Sequence, residues 1–256
     1  MKPFEGVYIM VGENFRYSLD CVKVIKGKKL PIIAIGGVSS VKIVSELDLL
    51  TNYPQLIITD EVAPWNNVDF LAITNNPQLL GISCGLSKIM PKEFLQNRFC
   101  INTHPSALPF NRGSHQSFWA IMESTLGGGT LHIVNNKIDA GDIIAQETFE
   151  LDAKITSQEV QSKQLEICIN LLELHLLEIY SGNFPRKIQV GGTYHNKSEI
   201  LKATTLLDSE SIKIADLLRL CRATCNSNNG FWIETKTGNF HISINSVTFL
   251  KKTLGN

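Results

Sequence analysis

The chain reads Phe99-Cys100-Ile101-Asn102-Thr103-His104-Pro105, an apolar run that ends in polar residues. Side chains two residues apart in an extended strand point to the same side, so the Asn102 amide and the His104 imidazole project together. Pro105 lacks a backbone N–H and therefore ends the strand. The run predicts a strand whose carboxyl end presents an amide and an imidazole side by side.

A second polar cluster follows at Lys137-Ile138-Asp139-Ala140-Gly141-Asp142, between two further apolar runs. Asp139 lies in a glycine-containing turn, from which its carboxylate can reach His104. Acyl transfer needs a donor for the oxygen on which negative charge develops, a group that moves a proton and a group that orients it. Asn102, His104 and Asp139 supply these three kinds of group.

Strands and helices alternate in the first half of the chain. Apolar runs predict buried strands at residues 6–12, 31–35, 55–59, 70–74 and 79–83. Helical spacing or position predicts helices at residues 15–27, 40–50, 91–97 and 115–124. This alternation predicts an α/β fold with an open, mostly parallel, Rossmann-like sheet and helices on both faces. Ligands of such folds bind beyond the carboxyl ends of the strands, where Asn102 and His104 fall.

The second half begins with the clearest helix of the sequence. Thr156-Ser157-Gln158-Glu159 supplies an N-cap with an acidic first turn, and Ser181-Gly182 ends the apolar stripe that follows. Beyond it, a short helix is expected at residues 212–225, and the turn Lys236-Thr237-Gly238-Asn239 predicts a β-hairpin. We therefore expect a catalytic domain at residues 1–190 and a small C-terminal helix and hairpin segment at residues 191–256.

Composition restricts the functional class. The 256 residues are 43% hydrophobic and 19% charged, with a formal net charge of zero, which is typical of a globular protein and disfavours a dedicated nucleic-acid surface. No apolar stretch approaches the ~20 residues that span a bilayer, and the N-terminus lacks a signal-peptide pattern. We expect a cytoplasmic enzyme with no nucleic-acid and no membrane partner.

Two ligand classes are disfavoured by missing motifs. The six cysteines include no C-x-x-C pair, so reduced, packed thiols are expected and no metal site. The strand that ends at Val11-Gly12 is followed by Glu13-Asn14-Phe15-Arg16 and not by the rest of a G-x-G-x-x-G fingerprint. Dinucleotide binding is therefore a weak alternative.

An ordered series of motifs resembles the folate-dependent formyltransferases. The series is N-x-H-P-S-x-L-P from Asn102, R-G at Arg112, W-A-I at Trp119, G-x-T-x-H from Gly129 and D-x-G-D-I-x-x-Q from Asp139. The resemblance implies transfer of a formyl group from 10-formyltetrahydrofolate to an amine, without a metal. It also implies that Asn102, His104 and Asp139 are the catalytic residues.

The resemblance further implies two sets of ligand-binding residues. For the folate they are Lys88, Ile89, Met90, Asn135, Ile138 and Asp142. For the acceptor they are Ser106, Arg112, Trp119, Tyr194 and His195. Structural alternatives stay open: Ser106 as a turn cap, Arg112 as a loop brace, Trp119 as core filling, and Tyr194-His195 as a packed junction between domains. His132 is expected to be a structural residue on the sheet surface.

The acceptor is inferred from the C-terminal segment. Residues 195–256 hold eight Lys and Arg against five Asp and Glu, a net charge of +3, which is little for neutralising many phosphates. Similarity to the sugar-modifying members favours a dTDP- or UDP-linked 3- or 4-amino deoxysugar, used for O-antigen or other surface glycan precursors. Methionyl-tRNA, glycinamide ribonucleotide and a non-catalytic folate- or nucleotide-binding module remain alternatives. Because relatives often pair, a homodimer through the C-terminal hairpin or the long helix is expected.

Overall fold

A computed structural model describes residues 2–207, 211–225 and 230–247. Its strands, in chain order, are β1 (Gly6–Val11), β2 (Ile32–Gly36), β3 (Ile57–Thr59), β4 (Leu79–Cys84), β5 (Phe99–His104), β6 (Arg112–Gly113), β7 (Gly127–Ile133), β8 (Ile143–Phe149), β9 (Tyr194–His195), β10 (Thr205–Leu207), β11 (Gly230–Thr235) and β12 (Gly238–Ser243). Its helices are α1 (Phe15–Gly27), α2 (Ser40–Glu46), α3 (Leu49–Asn52), α4 (Val68–Thr74), α5 (Lys92–Leu95), α6 (Gln116–Met122), α7 (Ser157–Tyr180), α8 (Glu199–Ala203) and α9 (Ile214–Ala223).

The main sheet has seven strands in the order β3-β2-β1-β4-β5-β7-β8. The first five strands in this order are parallel, and β7 and β8 continue the sheet antiparallel. One face packs on α1 and α7 through side chains such as Ile25 and Leu172. The other face packs on α4 and α5 through Phe70 and Phe94. The predicted fold class, a mostly parallel sheet covered by helices on both faces, is confirmed.

The long helix α7 begins where the sequence predicts. The Glu159 backbone N–H donates to Thr156 Oγ1 at 3.4 Å, and the Thr156 backbone N–H donates to Glu159 Oε2 at 2.9 Å. This reciprocal capping box satisfies two backbone donors that a helix start leaves open. The helix ends at Tyr180, just before Ser181-Gly182.

One predicted strand is wrong. Residues 70–74 belong to the helix α4, which Asn67 caps by accepting a hydrogen bond from the Phe70 backbone N–H at 2.9 Å. Phe70 and Thr74, four residues apart on one helix face, are fully buried, whereas Val68, the first residue of the helix, is exposed. A short apolar run cannot distinguish a buried strand from a one-sided helix, and the cap decides the outcome here.

The C-terminal segment contains α8, α9 and a second sheet in the order β10-β11-β12. The predicted hairpin is present, with β11 and β12 antiparallel and Thr235 paired with Gly238. Leu220 of α9 and Phe231 of β11 share a buried cluster with Phe118 of α6 and Val160 of α7. The division at residue 190 stays a prediction, since side chains from both sides of it pack together. Within the described ranges, no helix is long and apolar enough to cross a membrane.

Candidate active site

A cavity of about 650 Å³ lies beyond the carboxyl ends of β4 and β5. One wall is the loop 85–90 after β4, and the loop 134–139 after β7 forms another. Residues 113–116 and 194–197 line the side towards the C-terminal segment. The size falls within the range of small-molecule sites, and the parallel sheet places the cavity where such folds bind ligands.

Strand β5 presents Asn102 and His104 to this cavity, and Asp139 reaches them from the loop after β7. His104 Nδ1 lies 3.5 Å from Asp139 Oδ2, and His104 Nε2 lies 3.3 Å from the backbone oxygen of Asn111. The Gly113 backbone N–H donates to Asp139 Oδ2 at 3.0 Å, which holds the carboxylate beside the imidazole. The structure therefore brings together the three side chains that the sequence singles out for catalysis.

Burial and charge assign protonation states to this pair. Burial lowers the pKa of His104 below its ordinary value and outweighs the nearby Asp139 carboxylate, which raises it. Burial by itself raises the pKa of Asp139, but His104, His132 and the Gly113 N–H outweigh it and leave this pKa well below its usual range. At neutral pH the site holds a neutral imidazole, able to accept a proton, next to an ionised carboxylate.

His132 belongs to the same constellation. The sequence predicts it on the sheet surface, and that prediction is wrong. It is 2% exposed, and its Nδ1–H donates to the backbone oxygen of Ile133 at 2.9 Å. Its Nε2 accepts from Asn102 Nδ2 at 3.2 Å and lies 3.6 Å from Asp139 Oδ1. Because β5 and β7 pair with Asn102 opposite His132, the register orients the Asn102 amide. The G-x-T-x-H motif marks this position, but only the sheet register reveals the contact.

Five of the six residues predicted to bind folate line the cavity. These are Lys88, Ile89, Met90, Asn135 and Ile138. Asp142 does not line it, and its backbone oxygen accepts the Ile133 N–H at 2.9 Å, where β7 and β8 join. Apolar residues of both loops and the polar residues of β5 line the same cavity, which suits a flat heteroaromatic ring with apolar faces and a hydrogen-bonding edge. The residues present therefore fit a folate.

Only some of the residues predicted to bind the acceptor lie at the cavity. Tyr194 and His195 line the cavity, whereas Ser106, Arg112 and Trp119 do not. Ser106 is fully buried and its hydroxyl donates to the Phe110 backbone oxygen at 3.0 Å, as a turn cap does. Arg112 Nε donates to the Thr193 backbone oxygen at 3.3 Å and so braces a loop.

Trp119 and His195 pack against each other. Their rings stack 3.8 Å apart at an angle of 7°. His195 Nε2 lies 2.9 Å from Glu123 Oε1, and its Nδ1 lies 3.1 Å from Glu199 Oε2. These contacts are typical of a packed junction between two parts of the chain. Of the five residues predicted to bind the acceptor, Tyr194 both lines the cavity and is exposed, at 45%.

Residues 75–173 match the formyl transferase family model. A methionyl-tRNA formyltransferase of Clostridioides difficile is 34% identical over 118 residues, which cover 44% of this chain and 38% of that protein. A dTDP-4-amino-4,6-dideoxyglucose formyltransferase of Mycobacterium bovis is 28% identical over 97 residues, which cover 38% of this chain and 42% of that protein. The chain thus matches about two fifths of the length of these curated relatives.

Solved structures are similar over nearly the whole chain. A sugar N-formyltransferase from a Shewanella species has a TM-score of 0.75 at 22% identity, covering 96% of this chain and 99% of its own. A 4-N formyltransferase from Francisella tularensis has a TM-score of 0.76 at 21% identity, covering 94% and 98%. An N-formyltransferase from Helicobacter canadensis, solved with folinic acid and dTDP-3-aminofucose, has a TM-score of 0.67 at 16% identity, covering 94% and 96%. At these identities the likeness establishes the fold.

Proposed function

We propose that the protein is a sugar N-formyltransferase, since its residues 75–173 match the formyl transferase family model. In this proposal it transfers a formyl group from 10-formyltetrahydrofolate to the amine of a nucleotide-linked amino deoxysugar. The observation that carries the proposal is the constellation of Asn102, His104 and Asp139 at the cavity, with a neutral imidazole beside an ionised carboxylate.

Each of these residues has a definite task. The folate would supply the formyl group: the amine bonds to the formyl carbon and loses a proton, the bond between that carbon and the folate nitrogen breaks, and the released nitrogen takes up one proton. His104 can carry that proton from the amine to the released nitrogen. His104 Nε2 accepts that proton, while Nδ1–H points to Asp139, whose negative charge stabilises the imidazolium. The backbone oxygen of Asn111, 3.3 Å away, then accepts a hydrogen bond from the protonated Nε2. Asn102 Nδ2 donates to the formyl oxygen as negative charge develops there, with His132 holding the amide.

Two sides of the cavity suit two different ligands. The loops 85–90 and 134–138 offer apolar faces with polar edges, and we assign the folate to them. The opposite side carries His115, Lys197 and the exposed ring of Tyr194, which suit a diphosphate and a nucleobase. The Helicobacter canadensis relative, solved with folinic acid and dTDP-3-aminofucose, supports this pair of ligands. A formylated nucleotide sugar of this kind would serve the synthesis of surface glycan precursors.

The test is a turnover assay with 10-formyltetrahydrofolate and a panel of amines. The panel contains dTDP- and UDP-linked 3-amino and 4-amino deoxysugars, glycinamide ribonucleotide and charged methionyl-tRNA, and mass spectrometry detects the added formyl group. Formylation of one nucleotide sugar alone is the expected result. Formylation of tRNA, the substrate named for the Clostridioides difficile relative, would refute the acceptor and leave the catalytic assignment intact.

We also infer a homodimer formed through the C-terminal hairpin. The edge strand β12 of the second sheet carries Phe240 and Ile242, which are 55% and 37% exposed. Exposed aromatic and aliphatic side chains on a sheet edge favour pairing between copies. Size-exclusion chromatography with light scattering tests it, and a monomer at high concentration would contradict it. The cytoplasmic location stays a prediction.

A further inference from the structure

The loop that carries Asp139 has a backbone conformation that needs support. Asp139 has a φ of +49°, in the left-handed region that side chains other than glycine seldom occupy. Gly141 is packed so closely that an added Cβ would lie 1.8 Å from the backbone oxygen of Ile133. Contacts from outside the loop must therefore compensate for its conformation.

Gln189 provides such a contact. Its Nε2 donates to the backbone oxygen of Asp139 at 2.9 Å and to that of Gly141 at 2.7 Å. One side-chain amide thus spans the turn and joins the carbonyl groups on both sides of Ala140. The Oε1 of the same amide is buried and, within the described part of the chain, has no hydrogen-bond partner. Since a buried, unpaired acceptor is unfavourable, the amide is oriented by its two donated bonds.

Gln189 lies on a segment of residues 187–195, here called the strap. Lys187 exchanges two backbone hydrogen bonds with Ile143, at 2.8 and 2.9 Å. At the other end β9 pairs with β6, and the Ser114 N–H donates to the His195 oxygen at 3.0 Å. Ile188 is 75% exposed, whereas Gln189 turns inward, so a strap fixed at both ends aims this side chain at the loop.

The strap also supports the Asp139 carboxylate from its other side. Gly113, whose N–H donates to Asp139 Oδ2, belongs to β6 and pairs with His195 of the strap. A Cβ on Gly113 would lie 2.2 Å from the His195 oxygen, so the two backbones are in close contact. Both the backbone and the carboxylate of Asp139 are consequently held by groups that the strap places.

We propose that Gln189 is a positioning residue for the reaction, acting through Asp139 by fixing the left-handed turn that aims its carboxylate at His104. The inference rests on the proposed function for its kinetic consequence. Its structural consequence, the distance between the carboxylate and the imidazole, belongs to the free protein and does not depend on any acceptor.

The decisive variant is Gln189→Met, which keeps the length of the side chain and removes both donors. Gln189→Glu is the second variant, because it keeps the shape and faces the two carbonyl groups with a carboxylate. Ile188→Ala is the matched control, since it truncates an exposed neighbour on the same strap. Circular dichroism and thermal unfolding establish which variants are folded, and either folded Gln189 variant suffices for the test.

Two readouts separate positioning from a merely structural role. The first is kcat and KM with the nucleotide sugar that the wild type accepts. We expect kcat to fall by up to about 10²-fold, as for a displacement of ~1 Å at a reacting group, with KM unchanged and Ile188→Ala like wild type.

The second is an NMR titration of His104 in the free protein. Its pKa should fall in Gln189→Met, because the retreating carboxylate no longer raises it, whereas Gln189→Glu brings a charge of its own and is judged by kcat alone.

A folded Gln189→Met with wild-type kcat and a wild-type His104 titration, or a folded Gln189→Glu with wild-type kcat, would overturn the proposal. A wild type that formylates no nucleotide sugar would refute the proposed function instead. In that case the His104 titration alone decides: a lowered pKa in Gln189→Met and not in Ile188→Ala supports the positioning role, and an unchanged pKa refutes it.

Discussion

Replacing Asp139 by asparagine tests the central electrostatic argument. The change keeps the shape of the side chain and removes the charge that faces His104 Nδ1 at 3.5 Å. Both side chains are largely shielded from water, at 5% and 15% exposure. With an effective dielectric constant of ~20, the attraction between the carboxylate and an imidazolium at this distance is about 5 kcal/mol. This attraction is absent while His104 is neutral and grows as it accepts the proton.

The loss of this stabilisation is expected to appear in kcat. If about half to two thirds of the positive charge has developed on His104 at the transition state, ~2.5–3 kcal/mol is lost, which corresponds to a decrease of roughly 10²-fold. The donor and acceptor KM values should change little, because neither ligand binds through this charge in the ground state. Steady-state kinetics with the preferred nucleotide sugar, detected by mass spectrometry, measure both parameters.

The same variant makes a prediction about pH. The Asp139 carboxylate raises the pKa of His104 against the larger lowering by burial, so its removal lowers that pKa further. The acid limb of kcat/KM should therefore move to lower pH in Asp139→Asn, although the plateau is lower. An Asp139→Asn enzyme with wild-type kcat, or with an acid limb moved to higher pH, would refute the assignment of Asp139 as the partner of His104.

Four further results are expected. In the wild type, kcat/KM should fall on the acid side with an apparent pKa below the ordinary histidine value of ~6.5, since burial lowers that of His104; a pH-rate profile measures it. Asn102→Leu should lower kcat by roughly 10²–10³-fold without loss of folding, as judged by single-turnover rates and circular dichroism. Thr156→Ala removes the capping box and should lower the free energy of unfolding by about 1 kcal/mol in urea titrations, with unchanged kcat. Gly192→Ala places a Cβ 1.9 Å from the Pro109 oxygen at a φ of +90°, so thermal unfolding should show a loss of at least about 1–3 kcal/mol.

The acid stability of the protein follows from the same pair. The pKa of Asp139 is lower in the folded protein than its ordinary value, so its ionised form stabilises the fold above that ordinary value. This contribution is lost as the pH falls through the lowered pKa. The lowered pKa of His104 acts in the same direction, beginning near pH ~6.5, because the folded protein resists its protonation. Stability in urea titrations should therefore fall steadily as the pH is lowered from about 6.5, and a stability that stays constant from pH ~6.5 down to pH ~3 would contradict both shifts.

Local signals in the sequence were sufficient for several elements. Residues 15–27 carry a helical pattern and form α1 over that range. Thr156 and Glu159 identify the start of α7, because a capping box is formed by residues three apart. The alternation of Asn102 and His104 before Pro105 gives both the strand and the side to which it presents them. In each case the interacting groups are neighbours along the chain.

Other features depend on residues that are distant in sequence. The apolar run at residues 70–74 predicts a strand, but Asn67 caps a helix there, and the face that carries Phe70 and Thr74 packs into the core. The role of His132 requires the antiparallel register that places it opposite Asn102. The resemblance implies that Trp119 contacts the acceptor, but in the structure its ring stacks on His195, a contact that the sequence does not reveal.

The sequence by itself determined the mostly parallel sheet and the residues that meet at its carboxyl edge, because hydrophobic periodicity, proline and caps act over a few residues. The tertiary structure alone decided how the Asp139 turn is held. Gln189 is separated from that turn by the whole of β8 and α7, and no local pattern marks it. Its two hydrogen bonds exist only because the strap pairs with Ile143 at one end and with β6 at the other.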